Sequence, residues 1–468
     1  MENIKKNNGL TGPIIRENYT LDEHFNRLGE GRTFFVRTYG CQANVRDGET
    51  ITGFMLNMGF KQAEDEMSAD VIFFNTCAIR KAAEDHVFGE IGHIKHQSLN
   101  SDKIIAICGC MAQEESVIQE IKAKYPQVDL VFGTHNIARL PYLLEQVINS
   151  QERVIEVEAI PGNVIEGLPV ERSNSYKAFI NIMYGCNKFC TYCIVPYTRG
   201  RERSRYKEDI IQEVIDFKNA GGKEVILLGQ NVNAYGKDLG EKDGFTDLLS
   251  ACAETGIERI RFYTSHPRDY SVTTIEAMKK YPNIMKSLHL PVQSGSNEIL
   301  KKMNRGYTVE SYKALFDDMK KRIPEITFTT DLIVGFPGET DEQFKQTLDL
   351  VDYCKYDLAY SFVFSPREGT PAAKMEDNIS QQEKKERLHI LNEHIGMHAN
   401  ENNQKYVGKV LKVLCEGPSK KNKDVLTGYS EENKLVNFTG KGVLAGDIVR
   451  VKIINAKSYS LDGELVKE

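Results

Sequence analysis

Residues 178–196 read AFINIMYGCNKFCTYCIVP, and the fold turns on this stretch. Its first seven residues form an apolar run closed by Gly185, the pattern of a buried strand. Cysteines follow at 186, 190 and 193, a C-x3-C-x2-C spacing on the loop that leaves that strand. Three thiolates on one short loop can reach three corners of an iron–sulfur cube and leave the fourth iron without a protein ligand. A structural zinc site is the competing reading. Zinc sites show paired C-x2-C elements or added histidines, and no second pair follows here.

An open iron can chelate the amino and carboxylate groups of S-adenosylmethionine, and one electron from the cluster then releases a 5′-deoxyadenosyl radical. The downstream sequence suits such a site. Candidate strands at 224–228, 259–264, 287–290, 327–334 and 359–364 alternate with helical stretches such as 208–220, 247–255 and 308–322. Six βα units in a row predict an α/β partial barrel over 176–405, with its binding loops at the carboxyl ends of the strands. Polar or Gly-rich loops fall there at 229–236, 264–267, 290–296 and 335–339. Phe189 and Tyr192 flank the cysteines, where a ring either covers a cluster, contacts an adenine or only packs.

The chain ahead of this barrel carries a second βα alternation. Runs at 33–39, 71–75, 104–108 and 130–132 read as buried strands of a small parallel sheet over 31–150. Cys41, Cys77 and Cys110 each follow one of these strands by two residues. Loops at the carboxyl ends of parallel strands converge on one crevice, so three distant cysteines become candidate neighbours and a second candidate metal site. The alternative is three buried thiols. Cys108, Cys252, Cys354 and Cys415 lie within helical or strand patterns and read as packing, and His389, His394 and His398 read as a solvated helix face.

Residues 1–30 read as a polar extension and 151–175, with Pro161, Gly162, Gly167 and Pro169, as a linker. Short β-rich runs spaced near ten residues over 406–468 predict a small antiparallel barrel. With 41% hydrophobic and 27% charged residues the chain is of the soluble globular class. No apolar run approaches the ~20 residues of a membrane span, and the N-terminus has no apolar signal core, which points to the cytoplasm. The net charge of −6 gives no global footprint for nucleic acid. Residues 401–468, however, hold twelve basic against nine acidic side chains, a weak sign of an RNA-touching tail. Arg199, Arg201, Arg203, Arg205 and Lys207 fall at every second position behind the cysteine loop. In extended chain that sets them on one side, as a face for a cofactor carboxylate or RNA phosphates, or as a solvated loop.

TYGCQANVRD at 38–47, NTCAIR at 75–80, CGCMAQ at 108–113, GCNKFCTYCIVPYTRGRERSR at 185–205, LLGQNVNAYG at 227–236, TSHP at 264–267 and LHLPVQSGS at 288–296 together resemble the radical methylthiotransferases, from about residue 31 to the end. The likeness is to the MiaB-type branch, which acts on N6-isopentenyladenosine in tRNA, and the tail resembles the RNA-binding TRAM barrel. The resemblance implies two 4Fe–4S clusters, a radical one on Cys186, Cys190 and Cys193 and an auxiliary one on Cys41, Cys77 and Cys110. It implies S-adenosylmethionine contacts from Gln230, Ser265, Gln293 and Arg305, and Tyr192, from its place beside the cysteines, joins them as a candidate cofactor contact. It further implies methylthio transfer to carbon 2 of the adenine, a tRNA anticodon stem-loop as partner, flavodoxin or ferredoxin as electron donor, and a monomer. Ala43 departs from the Met expected after Gln42, beside a ligand position but not at one. Sister branches act on threonylcarbamoyladenosine in tRNA or on an aspartate of a ribosomal protein. The TSHP and GQNVNAYG segments favour the isopentenyl branch. A reading from another class is a non-enzymatic RNA-binding metalloprotein.

Overall fold

The computed structural model describes residues 2–5, 12–78, 81–97 and 103–466. Residues 1 and 6–11 of the expected extension, Ile79 and Arg80 of the NTCAIR segment, and 467–468 lie outside them.

Val71–Thr76 is buried at all six positions, as a parallel strand covered on both faces must be. Phe73 points into one apolar layer with Phe34, Phe54 and Phe132. Its neighbours Ile72 and Phe74 point into the opposite layer with Ile105, Ile107 and Val131. The sheet has seven strands, ordered Glu2–Lys5, Val154–Glu158, Leu130–Phe132, Ile104–Gly109, Val71–Thr76, Thr33–Thr38 and Lys61–Gln62. All of its pairings are parallel. The strand order reverses between Thr33–Thr38 and Val71–Thr76, which is where open α/β sheets bind ligands.

Two stretches differ from expectation. The span 151–175 supplies Val154–Glu158 to this sheet, and its Asn163–Glu166 pairs in parallel with Ile15–Asn18 of the N-terminal extension. Both strands are four or five residues long and find their partners far away in sequence, so local composition hid them.

The barrel strands are Lys177–Asn181, Glu224–Leu228, Arg259–Tyr263, Ser287–His289, Thr327–Val334 and Leu358–Val363. They form two three-stranded parallel sheets whose outer strands do not pair, so the barrel is partial. Helix Gln381–Gln404 packs on its last strand. His398 of this helix is not solvated. It is 4% exposed, and with His394 it holds Asp352, at 2.7 and 2.9 Å. Cys252 and Cys354 lie in the barrel's apolar core.

The C-terminal unit closes five strands in the order Val410–Pro418, Leu426–Ser430, Leu435–Thr439, Leu461–Leu465, Ile448–Ala456. Four pairings are antiparallel, but Leu435–Thr439 and Leu461–Leu465 run parallel. The expectation of a wholly antiparallel barrel is corrected for a topological reason: an odd number of strands cannot alternate direction all the way round a closed ring. The turn at 430–434 plugs the amino-terminal end of the large barrel. Arg259 donates to the carbonyls of Tyr429 and Ser430 at 3.0 and 2.7 Å, and Arg261 to that of Ser430 at 2.6 Å. Thr327 donates to the Glu432 carbonyl, and Lys434 pairs with Asp357 at 2.7 Å.

A largely buried charge node joins the first sheet to the barrel. Glu213 accepts from Arg46 at 3.0 Å, Arg172 at 2.6 Å and Arg205 at 2.8 Å. Burial pushes its carboxyl up, but the three guanidinium groups outweigh this and lower its pKa to about 2. A depressed carboxylate stabilises the fold above its unfolded value near 4.5, and that contribution fades as pH falls through about 2. Glu213→Gln leaves the guanidinium groups without their shared counterion and is expected to lower stability by about 3–5 kcal/mol. Urea denaturation followed by circular dichroism checks this, and an unchanged midpoint would sink it.

Candidate active site

Gly40 and Gly109 bring the N-terminal cysteines together. At Gly40 (φ +116°) a Cβ would lie 2.3 Å from the Cys77 Cβ, and at Gly109 (φ +90°) it would lie 2.5 Å from the Thr76 carbonyl oxygen. Only glycine tolerates both the contact and the left-handed backbone. Asn44 then ties the loop ends together, donating to the Thr76 carbonyl at 2.8 Å and accepting from the Cys41 thiol at 3.5 Å and, more loosely, from Cys110 at 3.9 Å. A hydrogen bond from Cys77, against the opposing effect of burial and with help from Arg199, lowers the Cys41 pKa to about 5. Burial pushes Cys110 up to about 11. Gly40→Ala is expected to displace Cys77 and remove about half of the iron that the wild-type chain takes up on anaerobic reconstitution. Wild-type iron content in this variant would refute that expectation.

The second triad sits on the loop after Lys177–Asn181. The Cys186 amide donates to the Gly200 carbonyl at 3.0 Å and the Cys193 amide to that of Cys190 at 2.9 Å, so the loop doubles back on itself. Phe189 takes a left-handed φ of 48°, and Asn304 donates to its carbonyl at 3.0 Å. Burial raises Cys186 and Cys193 to about 12. Cys110 of the first triad adds to the rise at Cys193, and Cys110 packs with Ala78 and Ile194, so the two triads face each other.

Each triad has one buried arginine on a sulfur. Arg305 donates to the Cys190 Sγ at 3.3 Å, to the Tyr192 hydroxyl at 3.4 Å and to the Pro291 carbonyl at 2.9 Å. Arg199 donates through Nε to the Cys110 Sγ at 3.1 Å and pairs with Asp47 at 2.6 Å. Sequence reasoning did not foresee the Arg199 contact, although the basic alternation pointed at that residue.

A cavity of about 440 Å³ lies between the triads. Cys41, Cys77 and Cys193 line it, and so do Tyr192, Gln230, Ser265, Gln293 and Arg305. Among the described residues the Ser265 Oγ and the His266 Nε2 are buried without a hydrogen-bond partner. Orphaned polar atoms in a cavity wall are costly unless a ligand meets them, and here they fit a polar cofactor such as S-adenosylmethionine. All six thiols are free of disulfides. Among the described residues no three His, Cys, Asp or Glu side chains gather closely enough for a single metal ion. A cube, with an iron at each of four corners, presents separated positions to three thiolates. The loop at 335–339 stays outside the cavity wall, because Glu339 accepts from the Gly335 amide and pairs with Arg387.

The alternating basic residues are not brought to one exposed face. Arg199, Arg203 and Arg205 are buried, Arg205 against Glu166 and Glu213. Arg201 stacks over the Phe189 ring at 4.2 Å, and Lys207 opens helix Lys207–Asn219. The shared side is real, but it faces the join between the two domains, so the phosphate-binding expectation is revised for the three buried arginines.

A partial α/β barrel with this loop defines a radical SAM protein, and residues 180–351 match the radical SAM superfamily. Residues 33–133 match an uncharacterized protein family, UPF0004, and 404–466 match the TRAM domain. The chain is 52% identical over 465 residues to the tRNA-2-methylthio-N(6)-dimethylallyladenosine synthases of Bacillus cytotoxicus and Bacillus subtilis, covering 99% of this chain and 91% of each relative. It belongs to that family of radical SAM enzymes. A solved structure of the radical S-adenosylmethionine methyltransferase TsrM from Kitasatospora setae shares the fold, with a TM-score of 0.53 at 12% identity over 83% of this chain and 79% of that one. Among the described residues no helix is long and apolar enough to cross a membrane.

Proposed function

We propose that the chain places a methylthio group on carbon 2 of N6-isopentenyladenosine, the N6-dimethylallyladenosine of its relatives' names, at the base next to the anticodon of tRNA. In this reading one 4Fe–4S cluster is held by Cys186, Cys190 and Cys193 and a second by Cys41, Cys77 and Cys110. Residues 31–150, 176–405 and 406–468 act as the sulfur-carrying, radical-forming and RNA-gripping units. A flavodoxin or ferredoxin supplies electrons, and the enzyme works as a cytoplasmic monomer. The observation that carries the reading is the single cavity walled by Cys41, Cys77 and Cys193.

When bound, the clusters and S-adenosylmethionine supply a 5′-deoxyadenosyl radical on one side of this cavity and the sulfur on the other. The chain's own residues bind and orient. Ser265 and His266 offer buried polar atoms to the cofactor, and Gln230 and Gln293 reach the same wall. Arg305 fixes Tyr192 and Cys190 from behind. Ile194, Val195, Ile333, Phe362 and Phe364 give the remaining wall an apolar surface suited to an isopentenyl tail and able to exclude water. The target base must leave its stack to enter.

Mass spectrometry of tRNA from a deletion strain tests the reading. Methylthio-isopentenyladenosine should vanish, isopentenyladenosine should accumulate, and a plasmid copy should restore the modification. An unchanged methylthio nucleoside would overturn the substrate.

A further inference from the structure

The large barrel is open between its first strand and its last, since among the described residues Lys177–Asn181 and Leu358–Val363 do not pair. The two faces of that last strand differ. Ala359, Ser361 and Val363 turn toward helix Gln381–Gln404, where Ser361 donates to the Asn392 side chain at 2.5 Å. Tyr360 and Phe362 turn the other way, into the barrel, and Phe362 lines the cavity between the triads. A closed barrel packs that face. Here Tyr360 is 50% exposed and Phe362 42%. Two large rings left open side by side on one strand mark a surface that a partner covers.

Tyr360 is held in place. Its ring lies edge-on to that of His289 at 6.1 Å, and His289 lies 6.4 Å from Tyr263, a residue of the cavity wall. His289 is fixed in turn by Thr329 at 2.9 Å and Asp331 at 3.4 Å. The C-terminal barrel stands at the amino-terminal end of the opening. Its Glu416 pairs with Lys177 of the first strand. Burial raises the pKa of its Tyr429, and Glu416 and Tyr360 add to the rise, so Tyr429 stands between the two sides of the gap. An aromatic path therefore runs from the C-terminal barrel along the last strand, Tyr429 to Tyr360 to Phe362, and into the cavity.

Chemistry narrows what covers Tyr360. The proposed reaction, on which this inference rests, requires one base to leave the stack of an RNA loop, and its neighbours then lack a stacking partner. Asp331, paired in register with Tyr360, disfavours a phosphate here. The RNA therefore passes Tyr360 with a base turned in. A half-open ring with polar groups at its rim suits a nucleobase better than an aliphatic group.

We propose that Tyr360 is a stacking platform for the nucleobase next to the target adenine, on the side of the RNA loop that faces the C-terminal barrel. The reconstituted holoenzyme and an anticodon stem-loop carrying N6-isopentenyladenosine test this. Loss of one base–aromatic stack in Tyr360→Ala should raise the KM for the stem-loop about tenfold, with a smaller effect on kcat. Tyr360→Phe, which keeps the ring, should restore the KM, and Tyr360→Leu, which keeps apolar bulk without the ring, should not. For a readout independent of turnover, 2-aminopurine replaces each base flanking the target in turn. Bound to the wild-type chain, one of the two should stay quenched by stacking, and it alone should brighten in Tyr360→Ala. An unchanged KM in Tyr360→Ala, recovery by Tyr360→Leu, no recovery by Tyr360→Phe, or brightening at both positions or at neither would each overturn the proposal. Failure of the functional reading looks different: the wild-type chain would then neither modify the stem-loop nor change either fluorescence signal.

Discussion

Cys190→Ala is expected to abolish the reductive cleavage of S-adenosylmethionine and, with it, all methylthio transfer. The Cys190 Sγ is buried and accepts from Arg305, which also reaches Tyr192 and the Pro291 carbonyl. Removing the sulfur leaves two thiols on the loop, too few to hold a cube with one open iron, and strands the Arg305 guanidinium on its neighbours. Iron uptake should fall by about half, because the N-terminal triad is on separate elements. The alanine fills less space than the thiol, so circular dichroism and the thermal midpoint should change little. Liquid chromatography of 5′-deoxyadenosine under reducing conditions reads the result directly. Cleavage near the wild-type rate would remove the radical cluster from this loop.

Cys77→Ala should split the two activities. Iron again falls by about half, yet 5′-deoxyadenosine continues to form, because the Cys186–Cys190–Cys193 loop keeps its own anchors at Gly200, Met303 and Asn304. Methylthio transfer should be lost. The paired outcomes, both activities lost in one variant and one lost in the other, assign separate tasks to the two triads. If Cys77→Ala made methylthio product at the wild-type rate, the N-terminal triad would have no part in sulfur delivery.

Much of this arrangement was legible in the sequence. The C-x3-C-x2-C loop is local, so its spacing suffices. The second triad is spread over seventy residues and was legible only through topology, since each cysteine follows the carboxyl end of a parallel strand, Cys41 by three residues and Cys77 and Cys110 by one. The reversal of strand order between Thr33–Thr38 and Val71–Thr76 supplies the crevice that this inference needed. What stayed hidden was non-local. Alternation put Arg199, Arg203 and Arg205 on one side but could not say whether that side met water or another domain. The strand Val154–Glu158 looked like linker because its partners lie at 2–5 and 130–132. His398 sits in a charged helix whose composition gave no sign that Asp352, from a different helix, would bury it.

The turn at 430–434 sets how freely the C-terminal barrel can be exchanged. Its carbonyls are held by Arg259 and Arg261, and its Lys434 by Asp357, all in the large barrel. Asn433 hydrogen-bonds Tyr263, which itself lines the cavity between the triads. The C-terminal unit therefore helps to support the wall of the cavity between the triads. A chimaera that grafts this unit from a relative would have to carry the turn and its arginine receptors together, so the two barrels act as one part rather than as interchangeable modules.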